Sequence, residues 1–255
     1  MTTTTTFPEP GVSGAPFPEP GVSEGRGPRQ VEGRPDAPAV LTARNLVKRF
    51  GDTTVLHGVD VDIHEGEFVS IMGPSGCGKS TLLYALSGMD VPTEGTVELD
   101  GTVLTGLPQK ELARLRLTRM GFVFQQVHLL RNLTLLDNVV LPAHLAGLAP
   151  RDELAARAME LMARTGVAHL ANHDISQASG GQLQRVGICR ALVNRPRVLF
   201  ADEPTGALDS TSAAEVLDIL TELNEDGMTI VMVTHDVGVA SRTHRVIEMG
   251  DGRIL

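Results

Sequence analysis

Three short, mostly apolar runs punctuate the chain. Phe68-Val69-Ser70-Ile71-Met72 stops at Gly73, and Arg197-Val198-Leu199-Phe200-Ala201 and Thr229-Ile230-Val231-Met232-Val233 each end at polar side chains. Runs of this length predict strands buried on both faces. Between them apolar residues recur at helical spacing: Leu154, Ala158, Leu161 and Met162 within 152–165, and Leu183, Val186, Cys189 and Leu192 after Gly180. Buried strands alternating with helices predict an α/β domain built on a largely parallel sheet. Ligands of such sheets sit beyond the carboxyl ends of the strands, so the polar residues at those ends carry the candidate chemistry.

Residues 1–40 break the pattern. They hold 8 of the 15 prolines and 6 of the 27 glycines, with few large apolar side chains. That composition buries too little surface to offset chain entropy, so a disordered Pro/Gly-rich tail is expected, with the globular pattern starting at Leu41. The tail repeats Phe7-Pro-Glu-Pro-Gly-Val-Ser13 as Phe17-Pro-Glu-Pro-Gly-Val-Ser23. The repeat reads either as a docking motif presented twice or as duplicated low-complexity sequence.

Composition removes several classes of function. A net charge of −9 lacks the basic face that general nucleic-acid binding needs, and the absence of Trp with a single Tyr leaves no stacking platform for single strands. No nucleic-acid partner is expected. No apolar stretch approaches the roughly 18 to 20 residues of a membrane span. The N-terminus has neither the basic start nor the apolar core of a secretion signal. Cys77 and Cys189 make no disulfide framework and no metal-binding spacing, as suits a reducing cytosol.

Directly after the first run comes Gly73-Pro74-Ser75-Gly76-Cys77-Gly78-Lys79-Ser80-Thr81, which fits the phosphate-loop pattern G-x-x-x-x-G-K-[ST]. The glycines let successive backbone N–H groups point inward around a phosphate, and a helix opening near Lys79 adds its positive dipole end. Lys79 is placed to reach the β- and γ-phosphates, and the Ser80 hydroxyl to ligate Mg²⁺. With a strand before and a helix after, the loop predicts a bound nucleoside triphosphate. Cys77 lies inside it, either as a thiol made reactive by the helix end or as a side chain turned away from the phosphates.

Further strand ends carry matching chemistry. Asp202 and Glu203 close the second run, where one acid suits Mg²⁺ and the next an attacking water. Gln125 ends Met120-Gly-Phe-Val-Phe124, and His235 ends Val231-Met-Val-Thr234. Beside a phosphate loop, both suit sensing of the γ-phosphate. Ser179-Gly180-Gly181-Gln182 opens a second helix whose free N–H groups form another phosphate-binding end. One nucleotide has one γ-phosphate, so the second end makes most sense completing a partner's pocket.

At these residues the sequence resembles the ATP-binding cassette (ABC) ATPases over roughly residues 41–255. The phosphate loop matches that family's Walker A motif, Gln125 its Q-loop, Ser179-Gly180-Gly181-Gln182 its signature, Asp202-Glu203 its Walker B motif with the catalytic carboxylate, Ala207-Leu208-Asp209 its D-loop, and His235 its switch histidine. Phe50 resembles the aromatic residue that stacks on adenine; a core phenylalanine is the other reading. The signature begins with Ala178 where Leu is usual, which implies a modest packing loss with the chemistry intact.

The resemblance implies a P-loop NTPase fold with an antiparallel β subdomain and an inserted α-helical subdomain at about 126–180. It assigns Glu203, His235 and Gln125 to catalysis and Ser80, Gln125 and Asp202 to Mg²⁺. ATP falls to Phe50, the loop Gly73–Thr81, Ser179–Gln182 and Asp209. The stretches 122–139, 201–210 and 231–236 look like the macrolide-exporter and lipoprotein-release (MacB-like) branch, whose members resemble stand-alone ATPase subunits paired with an FtsX/MacB-like transmembrane permease. The resulting expectation is an ATPase subunit that dimerises head to tail around two ATP and two Mg²⁺. It would lie in the cytoplasm, held peripherally on the inner face of the plasma membrane by the permease. An ATP-gated, FtsE-like regulator of cell-envelope enzymes is the alternative. A DNA-repair or translation ATPase fits less well, since the chain has neither a long coiled-coil insertion nor a second cassette.

Overall fold

The computed structural model describes residues 37–147 and 149–255. The expected tail and its repeat lie almost wholly outside the described residues. In chain order the elements are β1 (Ala39–Phe50), β2 (Thr53–His64), β3 (Phe68–Met72), α1 (Lys79–Leu86), β4 (Glu94–Leu99), β5 (Thr102–Val103), α2 (Gln109–Arg119) and β6 (Met120–Phe124). There follow α3 (Leu135–Ala146), α4 (Arg151–Arg164), α5 (Gly180–Leu192), β7 (Val198–Asp202), α6 (Ser210–Glu225), β8 (Thr229–Val233), α7 (Val237–Ala240), β9 (Arg245–Gly250) and β10 (Arg253–Ile254). Ala39 and Val40, expected as the last residues of the tail, belong to a strand. β1 opens at Ala39, and Val40 is buried in the core.

The strands form two sheets. Six strands run in the order β10-β9-β3-β8-β7-β6, parallel throughout except for the β9–β10 hairpin. A second, antiparallel sheet has the order β2-β1-β4-β5. The parallel sheet is covered on both faces, because alternate residues of a strand point to opposite sides. Phe68, Leu199, Ala201, Ile230 and Met232 pack in one cluster with buried residues of α3, α4, α5 and α6. Their neighbours Val69, Val198, Phe200 and Val231 pack in the other, with α1, β1 and β2. At about 25 cal/mol per Å² of apolar surface removed from water, these two clusters supply the main drive to fold.

α4 buries Leu154, Ala158, Leu161 and Met162, the face its periodicity predicts. α3 and α4 lie within 126–180 and pack on α5. No helix among the described residues is long and apolar enough to cross a membrane.

Candidate nucleotide site

Strand register brings the sequence-distant polar residues to one edge. Phe124 pairs with Asp202, Asp202 with Val233, and Val233 with Ile71. Gln125, Glu203, His235 and the loop starting at Gly73 therefore emerge side by side from the carboxyl ends of β6, β7, β8 and β3. No single stretch of chain could gather them.

The loop Gly73–Gly78 is shaped by close backbone approach. A Cβ on Gly73 would lie 2.2 Å from the Met249 carbonyl oxygen, so only glycine fits there. Gly78 is the N-cap of α1 with φ 102°, a left-handed conformation that favours glycine, and no side chain caps the helix. The first-turn amides of α1 are thus left for an external acceptor, and no acidic residue in that turn repels an anion. Lys79 is buried, and its Nζ donates to the carbonyls of Gly73 and Pro74, both at 2.9 Å. The ammonium is held across the mouth of its own loop.

Of the two readings of Cys77, the structure matches the side chain turned away from the phosphates. Its side chain is buried in the core cluster with Leu82 and Ile71, and its amide donates to the Pro74 carbonyl at 3.3 Å. The thiol is packing rather than a phosphate ligand. The turn between β9 and β10 supports the loop from below: Gly252 donates its amide to the Cys77 carbonyl at 3.1 Å and accepts from the His57 amide at 3.0 Å. A Cβ on Gly252 would sit 2.1 Å from the Val55 carbonyl oxygen. Sequence reasoning gave this turn no part in the site, because its link to the loop is purely tertiary.

Asp202 is the last residue of β7, and both of its oxygens are engaged. Ser80 Oγ donates to Oδ1 at 3.0 Å and Tyr84 Oη to Oδ2 at 2.6 Å. The two donors are four residues apart on α1, hence on one helix face. Tyr84 is absent from the sequence-derived site; its spacing from Ser80 was the available signal. Burial, and next the hydrogen bond to Asp202, push its hydroxyl up to about 12.

Glu203 has a left-handed backbone, with φ 47°, unusual for a residue with a side chain. Its amide donates to the Val233 carbonyl at 3.0 Å, which ties the turn to β8. The carboxylate Oε1 lies 3.3 Å from His235 Nδ1. A Cβ on Gly206 would meet Gln125 Nε2 at 3.0 Å and Glu203 Oε2 at 3.3 Å, so Gln125 and Glu203 flank one small space.

Phe50 closes β1 and is 53% exposed, which sets aside its reading as a core residue. Lys48 Nζ lies 4.8 Å from the ring centroid, within cation–π range. Phe50 pairs with Thr53, and Val55 two residues on touches Gly78, so the ring belongs to the hairpin beside the phosphate loop.

The remaining predicted residues form a second cluster. Ser179 caps α5 in a reciprocal capping box: its Oγ accepts from the Gln182 amide at 3.3 Å, and Gln182 Oε1 accepts from the Ser179 amide at 2.8 Å. Gly181 is required by packing, since a Cβ there would lie 2.6 Å from Ser212 Oγ on α6. Asp209 caps α6 by accepting from the Thr211 and Ser212 amides, and these bonds, Ser212's first, hold its carboxyl below the usual range. Ala178 packs against the first core cluster, and the Gly180 and Gly181 amides stay outside the capping box.

The site's own groups test whether a magnesium nucleotide fits. An uncapped helix, a loop that admits no Cβ at Gly73, a buried lysine and a Ser80–Asp202 pair suit phosphate oxygens and a hard cation. Among the described residues no group of three or more His, Cys, Asp or Glu side chains forms a metal cage. Ser80 and Asp202 would hold the ion, and it would supply neutralisation of charge on the transferred phosphoryl group.

Fold and edge together define a P-loop nucleotide-binding domain. The sequence model of the ABC transporter family matches residues 56–206, more than half of the chain. A macrolide export ATP-binding/permease protein, MacB 1/2, of Paracoccus denitrificans is 52% identical over 205 residues, covering 80% of this chain and 30% of that protein. The lipoprotein-releasing system ATP-binding protein LolD of Bacteroides thetaiotaomicron is 44% identical over 216 residues, covering 84% of this chain and 99% of that protein. A solved dimeric structure of a bacterial ABC transporter cassette matches with a TM-score of 0.77 at 44% identity, covering 84% of this chain and 96% of that one. A dimeric post-hydrolysis cassette bound to ADP and Pi matches equally well, at 43% identity and TM-score 0.77. The chain belongs to the ABC transporter family, on its MacB/LolD side, and is an ATP-binding cassette of the ATPase type. It spans about a third of the length of the MacB relatives it matches.

Proposed function

We propose that the chain is the ATP-hydrolysing subunit of an ABC transporter, working as a head-to-tail dimer around two ATP and two Mg²⁺ and driving a separate FtsX/MacB-like permease from the inner face of the membrane. The observation that carries this reading is the shared sheet edge, where Lys79, Ser80, Asp202, Glu203, Gln125 and His235 converge. Lys79 would exchange its two loop carbonyls for phosphate oxygens. Glu203 would accept a proton from the attacking water, and His235 would hold the carboxylate from its far side and meet the γ-phosphate. Ser179 and the Gly180 and Gly181 amides would face the partner's γ-phosphate. Gln125 would link the site to the permease through 126–150, a segment that includes α3.

Glu203→Gln tests the reading. The amide still hydrogen-bonds a water but is no carboxylate base. ATP binding should survive, hydrolysis should fall by at least about a hundredfold, and light scattering with ATP and Mg²⁺ should show an accumulating dimer. Hydrolysis at the wild-type rate would remove Glu203 as base. Loss of hydrolysis without a dimer would overturn the head-to-tail arrangement for the isolated subunit.

A further inference from the structure

Asp202 has one face toward the phosphate loop through Ser80 and the other toward Tyr84. The Tyr84 bond is the shorter of the two, 2.6 Å against 3.0 Å. Tyr84 is itself fixed at the end of α1: its carbonyl accepts from the amides of Met89 and Asp90 and from Ser87 Oγ, which is fully buried. The hydroxyl therefore stands on a rigid base, and a charged acceptor makes its bond one of the stronger kinds. Without it, Oδ2 of a half-buried carboxylate would lose this hydrogen-bond donor, and the side chain could turn away from Ser80.

We infer that Tyr84 is a positioning residue for the metal side of the nucleotide site: its hydroxyl locks Asp202 in the orientation that serves Mg²⁺ beside Ser80. The inference rests on the proposed reading of Asp202 as the residue facing that ion. Two hydroxyls one helical turn apart hold a carboxylate from a neighbouring strand, so α1 sets both the phosphate cradle and the orientation of the acid.

The composition supplies a direct probe. Tyr84 is the only tyrosine and the chain has no tryptophan, so the tyrosine emission of the intact protein is that of Tyr84 alone. A phenol hydrogen-bonded to a carboxylate is quenched by proton transfer in its excited state, and Asp202→Asn should therefore brighten it. The full chain and its Tyr84→Phe variant are then compared by equilibrium binding of a fluorescent ATP analogue, with Mg²⁺ titrated from zero. The variant should bind the analogue without metal as the wild type does, while its half-saturating Mg²⁺ rises about fivefold, the size of one net hydrogen bond. A merely structural tyrosine would lower thermal stability and leave the Mg²⁺ titration in place. An unchanged or lower half-saturating Mg²⁺ in Tyr84→Phe, or unchanged emission in Asp202→Asn, overturns the inference while leaving the nucleotide site standing. If the wild type itself shows no Mg²⁺-dependent binding of the analogue, the reading of the site fails, and this inference with it.

Discussion

Glu203 and His235 face each other across the ends of two adjacent strands, with Oε1 3.3 Å from Nδ1. Glu203 reaches this position through a left-handed backbone at φ 47°, and its amide is pinned to the Val233 carbonyl. Strain of about 1 kcal/mol or more is thus held at the residue proposed as the proton acceptor. The histidine is the softer partner, being more exposed and attached beyond the last residue of β8.

Removing His235 should therefore leave the fold intact and cripple the chemistry. His235→Ala is expected to lower kcat by about a hundredfold, in the range of a lost acid–base or orienting group, with the affinity for ATP nearly unchanged. Steady-state hydrolysis and equilibrium nucleotide binding on the same protein check this. A parallel loss of ATP affinity would mean that the imidazole mainly binds the ground state.

Much of this arrangement was legible in the chain because it rests on local signals. The phosphate loop announces itself by spacing, α4 by the four residues it buries, and the candidate strand ends by polar residues following apolar runs. Tyr84 was not legible, since its role depends on Asp202 more than a hundred residues away, and an aromatic residue within a helix reads as packing. The β9–β10 turn was missed for the same reason: Gly252 matters only because Cys77 and Val55 lie against it. Cys77 shows the converse, a residue inside a binding motif whose side chain serves the core. In the signature segment the pattern suggested phosphate binding alone, whereas Gly181 is also dictated by the approach of α6.

That approach can be measured. Gly181→Ala places a methyl 2.6 Å from Ser212 Oγ and 2.7 Å from Ser212 Cβ, so the two helices must separate. Overpacking of this kind costs about 1 to 3 kcal/mol, and urea denaturation should show it as a lower midpoint. Ser212→Gly removes both offending atoms, and the double variant should recover most of the loss. No recovery would place the cause of the glycine elsewhere.

Stability should fall on the alkaline side. Burial pushes the Cys189 thiol up to about 12 from an ordinary 9.0, and Tyr84 is raised to about 12 from 10.0, again chiefly by burial. Both groups keep their protons in the folded chain where the unfolded chain has lost them. Their contribution is complete below the unfolded values and is lost as pH rises toward the folded ones. Urea midpoints measured at about pH 8 and about pH 11 should therefore drop. Cys189→Ala should flatten the decline while costing roughly 1 kcal/mol at neutral pH from the emptied space beside Thr165. An equally steep alkaline decline in Cys189→Ala would exclude the thiol as its source.

The segment carrying Gln125 is fastened to α5, the helix capped by Ser179. Gln184, fully buried, donates its Nε2 to the Phe124 carbonyl at 2.9 Å, one residue before Gln125. Arg190, one and a half turns on, sends Nη2 to the Val127 carbonyl at 2.6 Å and Nη1 to the His128 carbonyl at 3.0 Å. Val127 also packs against Gly187, where a Cβ would stand 2.6 Å from its Cγ1. The residues on both sides of Gln125 are thus held by one helix, and the glutamine should move with α5. Arg190→Lys keeps the charge but replaces a planar fork with a point donor that serves one carbonyl at a time. Amide hydrogen exchange should then quicken in 125–130 and stay unchanged in the loop 73–78, with a stability loss of about 1 kcal/mol for the missing bond. The ATP affinity should hold, because Lys79 and the loop amides are untouched. Exchange that quickens equally in 73–78 would mean that the arginine supports the whole sheet edge, and unchanged exchange in 125–130 would release Gln125 from its tie to α5.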